Sequence, residues 1–389
     1  MDKNIRSVQF IDTYFPIVDG VSQTVHNYAR EMGSAVVCPK ARGAYDDGQL
    51  PYRVIRTHTL PLPLTEYPVG APRLDGRTLA AVASEKPQIL HAHSPFAVGG
   101  YAVKCGKKLG IPVVSTFHSK YYDDALNITH SRAAARIVAD TVVRHYRKAD
   151  AVWACSEGTA ETLRSYGYKG EILVMENGTT MSVPEEKYGE LRERAAAELS
   201  LPKGKRICLF VGHLIKHKNL PLILDTFRLL CNESDDYRML IVGDGYDETA
   251  IKKYAEELGL TGGEVIFAGR INDRERLAGV YLNADLFFFP SVYDNAPLVV
   301  REAATFGVPS LLTEGSNSAE AVVPNVSGFT AGENAADMAR EIRRIFGTPG
   351  LVEKVGTEAA RTIPKSYAEI TAKVRERYAE LIESFKAKK

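Results

Sequence analysis

Short runs of apolar residues, each followed by a longer stretch of helical pattern, recur from end to end of this chain and leave few folds open to it. Strands that are apolar throughout, and not alternating, belong to sheets covered on both faces, and the helices between them supply the crossovers that parallel strands need. In the first half the spacing predicts strands over 7–12, 34–39, 88–93, 112–117, 151–155 and 171–175, with helical stretches such as VSQTVHNYAREMG and VGGYAVKCGKKLG between them. A charged helix over 184–200 interrupts the pattern. Strands over 206–212, 238–243, 265–269, 286–291 and 309–314 then resume it. At 389 residues the chain exceeds one ordinary core, so two doubly wound α/β domains are expected, over 1–181 and 182–365. The closing segment 366–389 is a long helix with no strand after it, expected to pack back on the first domain.

Composition narrows the class. A formal net charge of +1 argues against a general nucleic-acid binder, which carries a basic excess. No stretch approaches the roughly 18 apolar residues of a membrane span, and MDKNIRSVQFIDTYF lacks an apolar signal core. The five cysteines (Cys38, Cys105, Cys155, Cys208 and Cys231) are scattered without a CxxC pair, as reduced core thiols are. A cytoplasmic location is expected.

Ligands of doubly wound sheets sit beyond the carboxyl ends of the strands, so the loops there carry the chemistry. After the first strand, DTYFPIVDGVS brings Gly20 to a helix opening at Val21 or Ser22, where unpaired N–H groups can meet an anion; a plain strand–helix turn is the alternative. The second domain opens with FVGHLIKHKN. Gly212 follows a buried strand, and Lys216, His217 and Lys218 precede a helix, so a cation beside a glycine turn suits a diphosphate, though a solvated basic loop has the same composition. His91 and His93 share one face of a strand end but lack a third ligand for a metal. His118, at the end of the next strand, is the better candidate for substrate contact. In FPSVYDNAPLVVREAATFGVP, Asp294 lies in a loop and Glu302 at the start of a helix, with Asn295, Ala296, Pro297 and Leu298 forming a loop that can aim several backbone N–H groups at one point.

Taken in order, these segments resemble the family 4 glycosyltransferases, which are retaining enzymes of the GT-B fold, two facing Rossmann-like domains with the donor cleft between them. The resemblance spans nearly the whole chain, from DTYFPIVDGVSQTVHNYA through ILHAHSPFAVGG, IPVVSTFHS, ENG and LFVGHLIKHKN to LIVGDG, VIFAGRI, DNAPLVVREAATFGVP and SGFT. It implies that Gly20 presents its N–H to the donor diphosphate, that Lys218 binds phosphate, and that His118 contacts the transferred sugar. Asp294 and Glu302 match the family's paired glutamates, the first reaching sugar hydroxyls and the second the ribose. Gly269 and Arg270 lie where the family seats the nucleobase. Two departures stand out: His213 replaces the arginine usual after Gly212, losing a permanent bidentate cation, and Asp294 is one methylene shorter than glutamate.

The implied function is hexose transfer with retention from a nucleotide sugar, a UDP-sugar first and GDP-mannose second by family frequency. No Asp-X-Asp triplet occurs in the chain, so a metal-independent reaction without a cofactor is expected. The basic amphipathic segment 131–150, with Arg132, Arg136, Arg144, Arg147 and Lys148, suits an anionic membrane surface or a merely solvated face. With the resemblance to lipid glycosyltransferases, it favours a membrane lipid or glycolipid acceptor and a peripheral place at the inner face of the membrane. A soluble or polysaccharide-repeat acceptor, a hydrolysing UDP-sugar epimerase and a non-catalytic nucleotide-sugar binder are the alternatives.

Overall fold

The computed structural model describes residues 5–41, 43, 45–60, 69–74 and 76–389, which fall into two compact units. One unit comprises Met1–Gly178 with Ser366–Lys389, and the other Thr179–Lys365.

In the first unit the strands are β1 (Ser7–Phe10), β2 (Ala35–Pro39) and β3 (Val54–Thr57), then β4 (Thr59–Leu60) and β5 (Val69–Gly70), which pair antiparallel apart from the main sheet. They are followed by β6 (Ile89–Ala92), β7 (Val113–Phe117), β8 (Ala151–Ala154) and β9 (Leu173–Val174). The main sheet is parallel, in the order β3-β2-β1-β6-β7-β8-β9. Helices α1 (Gly20–Met32), α2 (Gly76–Ser84), α3 (Ala97–Leu109), α4 (Tyr121–Thr129), α5 (Arg132–Tyr146) and α6 (Glu157–Ser165) connect its strands. Every residue of β1, β2, β6 and β7 is buried, the polar Ser7, Gln9, His91, Ser115 and Thr116 included, as in a sheet covered on both faces.

In the second unit α7 (Tyr188–Glu198) precedes β10 (Arg206–Val211), α8 (Leu220–Glu233), β11 (Tyr237–Val242), α9 (Glu248–Glu257) and β12 (Val265–Gly269). Then come α10 (Arg274–Leu282), β13 (Leu286–Phe289), α11 (Leu298–Thr305), β14 (Ser310–Thr313), β15 (Phe329–Ala331), α12 (Ala335–Gly347) and α13 (Leu351–Thr362). This sheet too is parallel, in the order β12-β11-β10-β13-β14-β15. The fold class read from the sequence is therefore the observed one, two parallel-sheet α/β units.

The last helix, α14 (Tyr367–Ala387), belongs to the first unit. Ser366 caps it, exchanging hydrogen bonds with Glu369 in a capping box. Tyr367, Ile370, Val374, Tyr378 and Ile382 pack with Ile89, Val114 and Trp153 of the sheet, and Arg375 donates to the Glu31 carbonyl of α1 at 2.6 Å.

The structure differs from the sequence reading in places. The edge strands β3 and β15 were not anticipated: both are short, and Arg56 breaks the apolar run of β3. The charged helix begins only at Tyr188, after a 3-10 turn over Glu185–Lys187. Among the described residues no helix is long and apolar enough to cross a membrane.

Candidate functional site

Each sheet reverses its winding once, and a reversal leaves a crevice at the carboxyl ends of the two strands involved. In the second unit this point lies between β10 and β13. The loop after β10 carries Lys218 and the loop after β13 carries Asp294, and the two meet there: Lys218 Nζ donates to Asp294 Oδ1 at 2.5 Å. Neither side chain is more than about a fifth exposed, at 15% and 18%. Ser291, wholly buried, donates its hydroxyl to Asp294 Oδ2 at 2.5 Å. Lys218 also lies over the Phe289 ring, 5.6 Å from its centroid. The pair is thus held by its own strand ends before any ligand arrives.

The neighbouring loops are knitted to this one through backbone. Leu214 N–H donates to the Asp244 carbonyl at 2.8 Å, and Lys216 N–H to Asp247 Oδ2 at 2.6 Å. Gly243 lies so near that a Cβ there would stand 1.9 Å from the Gly212 carbonyl oxygen, and its φ of +143° also demands glycine. Gly243 N–H donates in turn to the Gly269 carbonyl at 2.9 Å. Gly269 has a φ of +67°, so the turn that carries Arg270 needs glycine on backbone grounds alone. Arg270 donates through Nε to Asn272 Oδ1 at 2.8 Å and stands 3.7 Å from Asp244. His213 is exposed on the same rim.

Beyond Asp294, the Asn295 side-chain oxygen accepts from Asn317 Nδ2 at 2.8 Å. Helix α11 then begins at Leu298 behind Pro297, whose φ of −65° fits the start of a helix but whose side chain cannot cap it. Glu302 is therefore not at the start of that helix, as the sequence suggested, but at its fifth position. It is turned inward: Oε1 accepts from Arg274 Nη1 at 3.1 Å and Oε2 from the fully buried Tyr281 hydroxyl at 3.1 Å. Arg274 also donates to Thr180 Oγ1 at 2.8 Å. Ser291, Arg274 and Tyr281 were missed by sequence reasoning. Nothing in their local spacing marks them; only the fold brings them to the two carboxylates.

In the first unit the reversal lies between β1 and β6. Asp12, just past β1, accepts from Ser94 Oγ at 2.7 Å and from the N–H groups of Val98 and Gly99 at 2.8 and 3.2 Å, filling the N-terminus of α3. Burial raises its carboxyl above the ordinary range, against the pull of these hydrogen bonds. Gly20 is the first residue of α1, one position earlier than expected, because Asp19 caps the helix by accepting from Ser22 N–H at 2.7 Å. It is exposed, and a Cβ there would meet nothing within 4 Å.

His118 follows β7 and is buried against His93, with Nε2 3.2 Å from His93 Nδ1. Burial lowers His118 to about 4. His91 and His93 lie well below the usual 6.5, again through burial first. Their rings are 4.0 Å apart, on one face as expected. His91 is engaged by Tyr378 and Thr116, each at 2.6 Å, a core role and not a metal ligand's.

Two family models match the chain. The model described as Glycosyltransferase Family 4 takes in residues 18–182, and the one described as Glycosyl transferases group 1 takes in residues 192–362. Among curated relatives, the alpha-monoglucosyldiacylglycerol synthase of Streptococcus pneumoniae is 27% identical over 315 residues, covering 77% of this chain and 69% of that protein. A GDP-mannose-dependent alpha-mannosyltransferase of Corynebacterium glutamicum is 25% identical over 329 residues, covering 82% and 74%. Among solved structures, HepE of Anabaena, in complex with UDP and glucose, superposes with a TM-score of 0.76 at 16% identity, over 96% of this chain and 99% of that one.

Proposed function

Since the chain belongs to the group 1, family 4 glycosyltransferases and has their GT-B fold, we propose that it moves a hexose from a nucleoside-diphosphate sugar to a lipid or glycolipid hydroxyl, with retention and without a metal. The observation that carries the reading is the Lys218–Asp294 pair at the β10/β13 reversal, beside a helix that begins without a side-chain cap. Lys218 and the α11 N-terminus meet the diphosphate, and Asp294 accepts from sugar hydroxyls. Glu302, held by Arg274 and Tyr281, accepts from the ribose. The turn at Gly269 and Arg270 seats the base, and Gly212 and His213 line the phosphate side. From the first unit, Gly20 offers a backbone N–H to the diphosphate and His118 contacts the transferred sugar.

The chemistry is a front-face substitution. The anomeric carbon–phosphate bond breaks, and the acceptor oxygen bonds to the face just vacated. The departing phosphate oxygen takes the acceptor's proton, so no enzyme nucleophile is needed. Negative charge grows on the leaving diphosphate and is met by Lys218 and backbone N–H groups in place of a metal ion. Loss of transfer on EDTA treatment, with recovery on adding Mg²⁺, would falsify the metal-free step.

A lipid acceptor is supported by two observations. The Streptococcus relative is named for a glucosyldiacylglycerol product. In this chain, Ile128 of α4 and Ile137 of α5 are 81% and 65% exposed on the helix pair that carries Arg132, Arg136 and Arg144. Co-flotation with anionic vesicles, absent with neutral ones, is the expected result; failure to float with either removes the membrane from the reading.

The deciding experiment is a metal-free calorimetric titration with UDP, GDP and ADP and then with their hexose conjugates. One diphosphate should bind tightly, and Glu302→Gln should weaken it. Binding of none withdraws the transferase reading.

A further inference from the structure

Three neighbouring strands of the first sheet place Gln9, His93 and His118 in one buried line. Gln9 sits on β1, His93 directly after β6 and His118 directly after β7. Gln9 and His93 are wholly buried and His118 is 9% exposed. His93 Nε2 lies 2.9 Å from Gln9 Oε1, and His93 Nδ1 lies 3.2 Å from His118 Nε2. Gln9 Nε2 donates elsewhere, to Ser7 Oγ at 3.2 Å, and Ser7 Oγ lies 2.6 Å from Ser34 Oγ.

A carbonyl oxygen only accepts, so His93 must carry its proton on Nε2. A buried imidazole with no carboxylate bonded to it stays neutral, which leaves His93 Nδ1 bare. A bare Nδ1 needs a donor, and the atom facing it is His118 Nε2. The proton on His118 is thereby assigned to Nε2, and its Nδ1 is the unprotonated atom.

We propose that Gln9, acting through His93, is a positioning residue that holds His118 in the Nε2–H tautomer, so that His118 meets its substrate as a hydrogen-bond acceptor. This rests on the role given to His118 above and sharpens it. An acceptor nitrogen recognises a hydroxyl, of the hexose or of the incoming acceptor, and is repelled by the anionic oxygens of the diphosphate. It neither protonates the leaving group nor neutralises it. The inward hydrogen bond also fixes the ring plane, as the carboxylate behind a catalytic histidine does in other enzymes.

The test reads the protons directly. In protein labelled with ¹⁵N-histidine, long-range ¹H–¹⁵N correlation at pH 7 should show His93 and His118 each protonated on Nε2 and bare on Nδ1. Gln9→Met removes the acceptor and should give His118 a mixed tautomer; kcat should fall at least about ten-fold while the KM for donor stays constant. Gln9→Glu sets a carboxylate against His93, which can then hold a proton on each nitrogen and donate from Nδ1, and should turn His118 to the Nδ1–H tautomer with kcat lowered as in Gln9→Met. A wild-type His118 protonated on Nδ1, or a tautomer unmoved in Gln9→Met, overturns the relay even if a variant folds poorly. A correct tautomer together with an unchanged kcat in His118→Ala leaves the relay standing as structure but refutes its effect on transfer, and so overturns the proposal through the role of His118 alone.

Discussion

Where the first sheet reverses, between β1 and β6, Asp12 fills the N-terminus of α3 with the protein's own carboxylate. Where the second reverses, between β10 and β13, Lys218 and Asp294 stand beside α11, whose N-terminus has no side-chain cap. The topology is the same and the chemistry is opposite. A helix N-terminus attracts an anion, and the chain either supplies one from within or leaves the place to a ligand. In the first unit the supply is internal, and polar groups near the reversal are neutral or hydrogen-bonded among themselves. In the second, the lysine is matched by a carboxylate that a diphosphate can rival. One crevice thus carries its own anion and leaves only neutral groups for a ligand, and the other is built as a charged receptor.

The sharpest way to break this contrast is to exchange the fates of the two aspartate partners. Lys218→Ala should lower kcat/KM by about 10²–10³, the size expected when a charge-assisted donor to a leaving group is lost. Steady-state transfer and titration with the nucleoside diphosphate measure it. Asp12→Ala should leave diphosphate binding intact and cost the first unit about 2 kcal/mol, because buried N–H groups lose their acceptor. The chain's one tryptophan, Trp153, is buried in the first unit against Tyr378, so its fluorescence during urea unfolding reports that unit alone. Loss of nucleotide binding in a folded Asp12→Ala protein would refute the assignment of Asp12 to structure.

Acid should separate the units next. His118 is depressed from 6.5 to about 4 by burial, and burial also lowers His91 and His93 well below 6.5. Over this range the unfolded chain binds protons that the folded one refuses, so stability is full above about pH 6.5 and falls as pH drops toward 4. For His118 alone the loss is roughly 3 kcal/mol by the bottom of that window. The second unit has only His213 and His217, on its exposed rim. The Trp153 signal should therefore shift before the far-ultraviolet dichroism of the whole chain does. Coincident transitions down the pH series would mean that the buried imidazoles do not set the acid limit.

What was legible in the sequence follows the same division. Largely apolar strands and glycine-closed helices announced two parallel α/β sheets, because burial on both faces leaves a strand few polar positions. Lys218 and Asp294 stood out because each follows a buried strand, where ligands of doubly wound sheets bind, and because their segments resemble the family's motifs. Their direct pairing, over 76 residues of separation, was not legible: it depends on which strands are neighbours, and the reversal between β10 and β13 cannot be read from spacing. Tyr281 and Arg274 were hidden for the same reason, and Gln9 because a polar residue in a buried strand reads as an interruption until its partner is seen.

His213 offers a gentler sharpening. It stands exposed at the position where the resemblance to the family implies an arginine, so a guanidinium placed there would work in high dielectric and under salt screening. His213→Arg should tighten nucleoside diphosphate binding by no more than about five-fold. Raised salt should erase most of that gain, in contrast to the Lys218 contribution, which comes from a largely buried group. A gain that survives salt would place His213 inside the receptor and not on its rim.

The smallest effect is expected at Gly20, and it separates two uses of glycine. Gly243 is compelled by the fold, since a Cβ would stand 1.9 Å from the Gly212 carbonyl and its φ is +143°. Gly20 is not: its φ is ordinary for any residue and a Cβ there would touch nothing. Gly20→Ala should therefore change the unfolding free energy read by Trp153 in urea by less than about 0.5 kcal/mol. A methyl group beside the first N–H of α1 still intrudes on whatever approaches that N–H, so transfer should fall a few-fold, with the loss in donor KM. Unaltered stability with altered KM assigns the glycine to ligand approach. Unaltered stability with unaltered KM returns it to the surface, and leaves the diphosphate to the second unit alone.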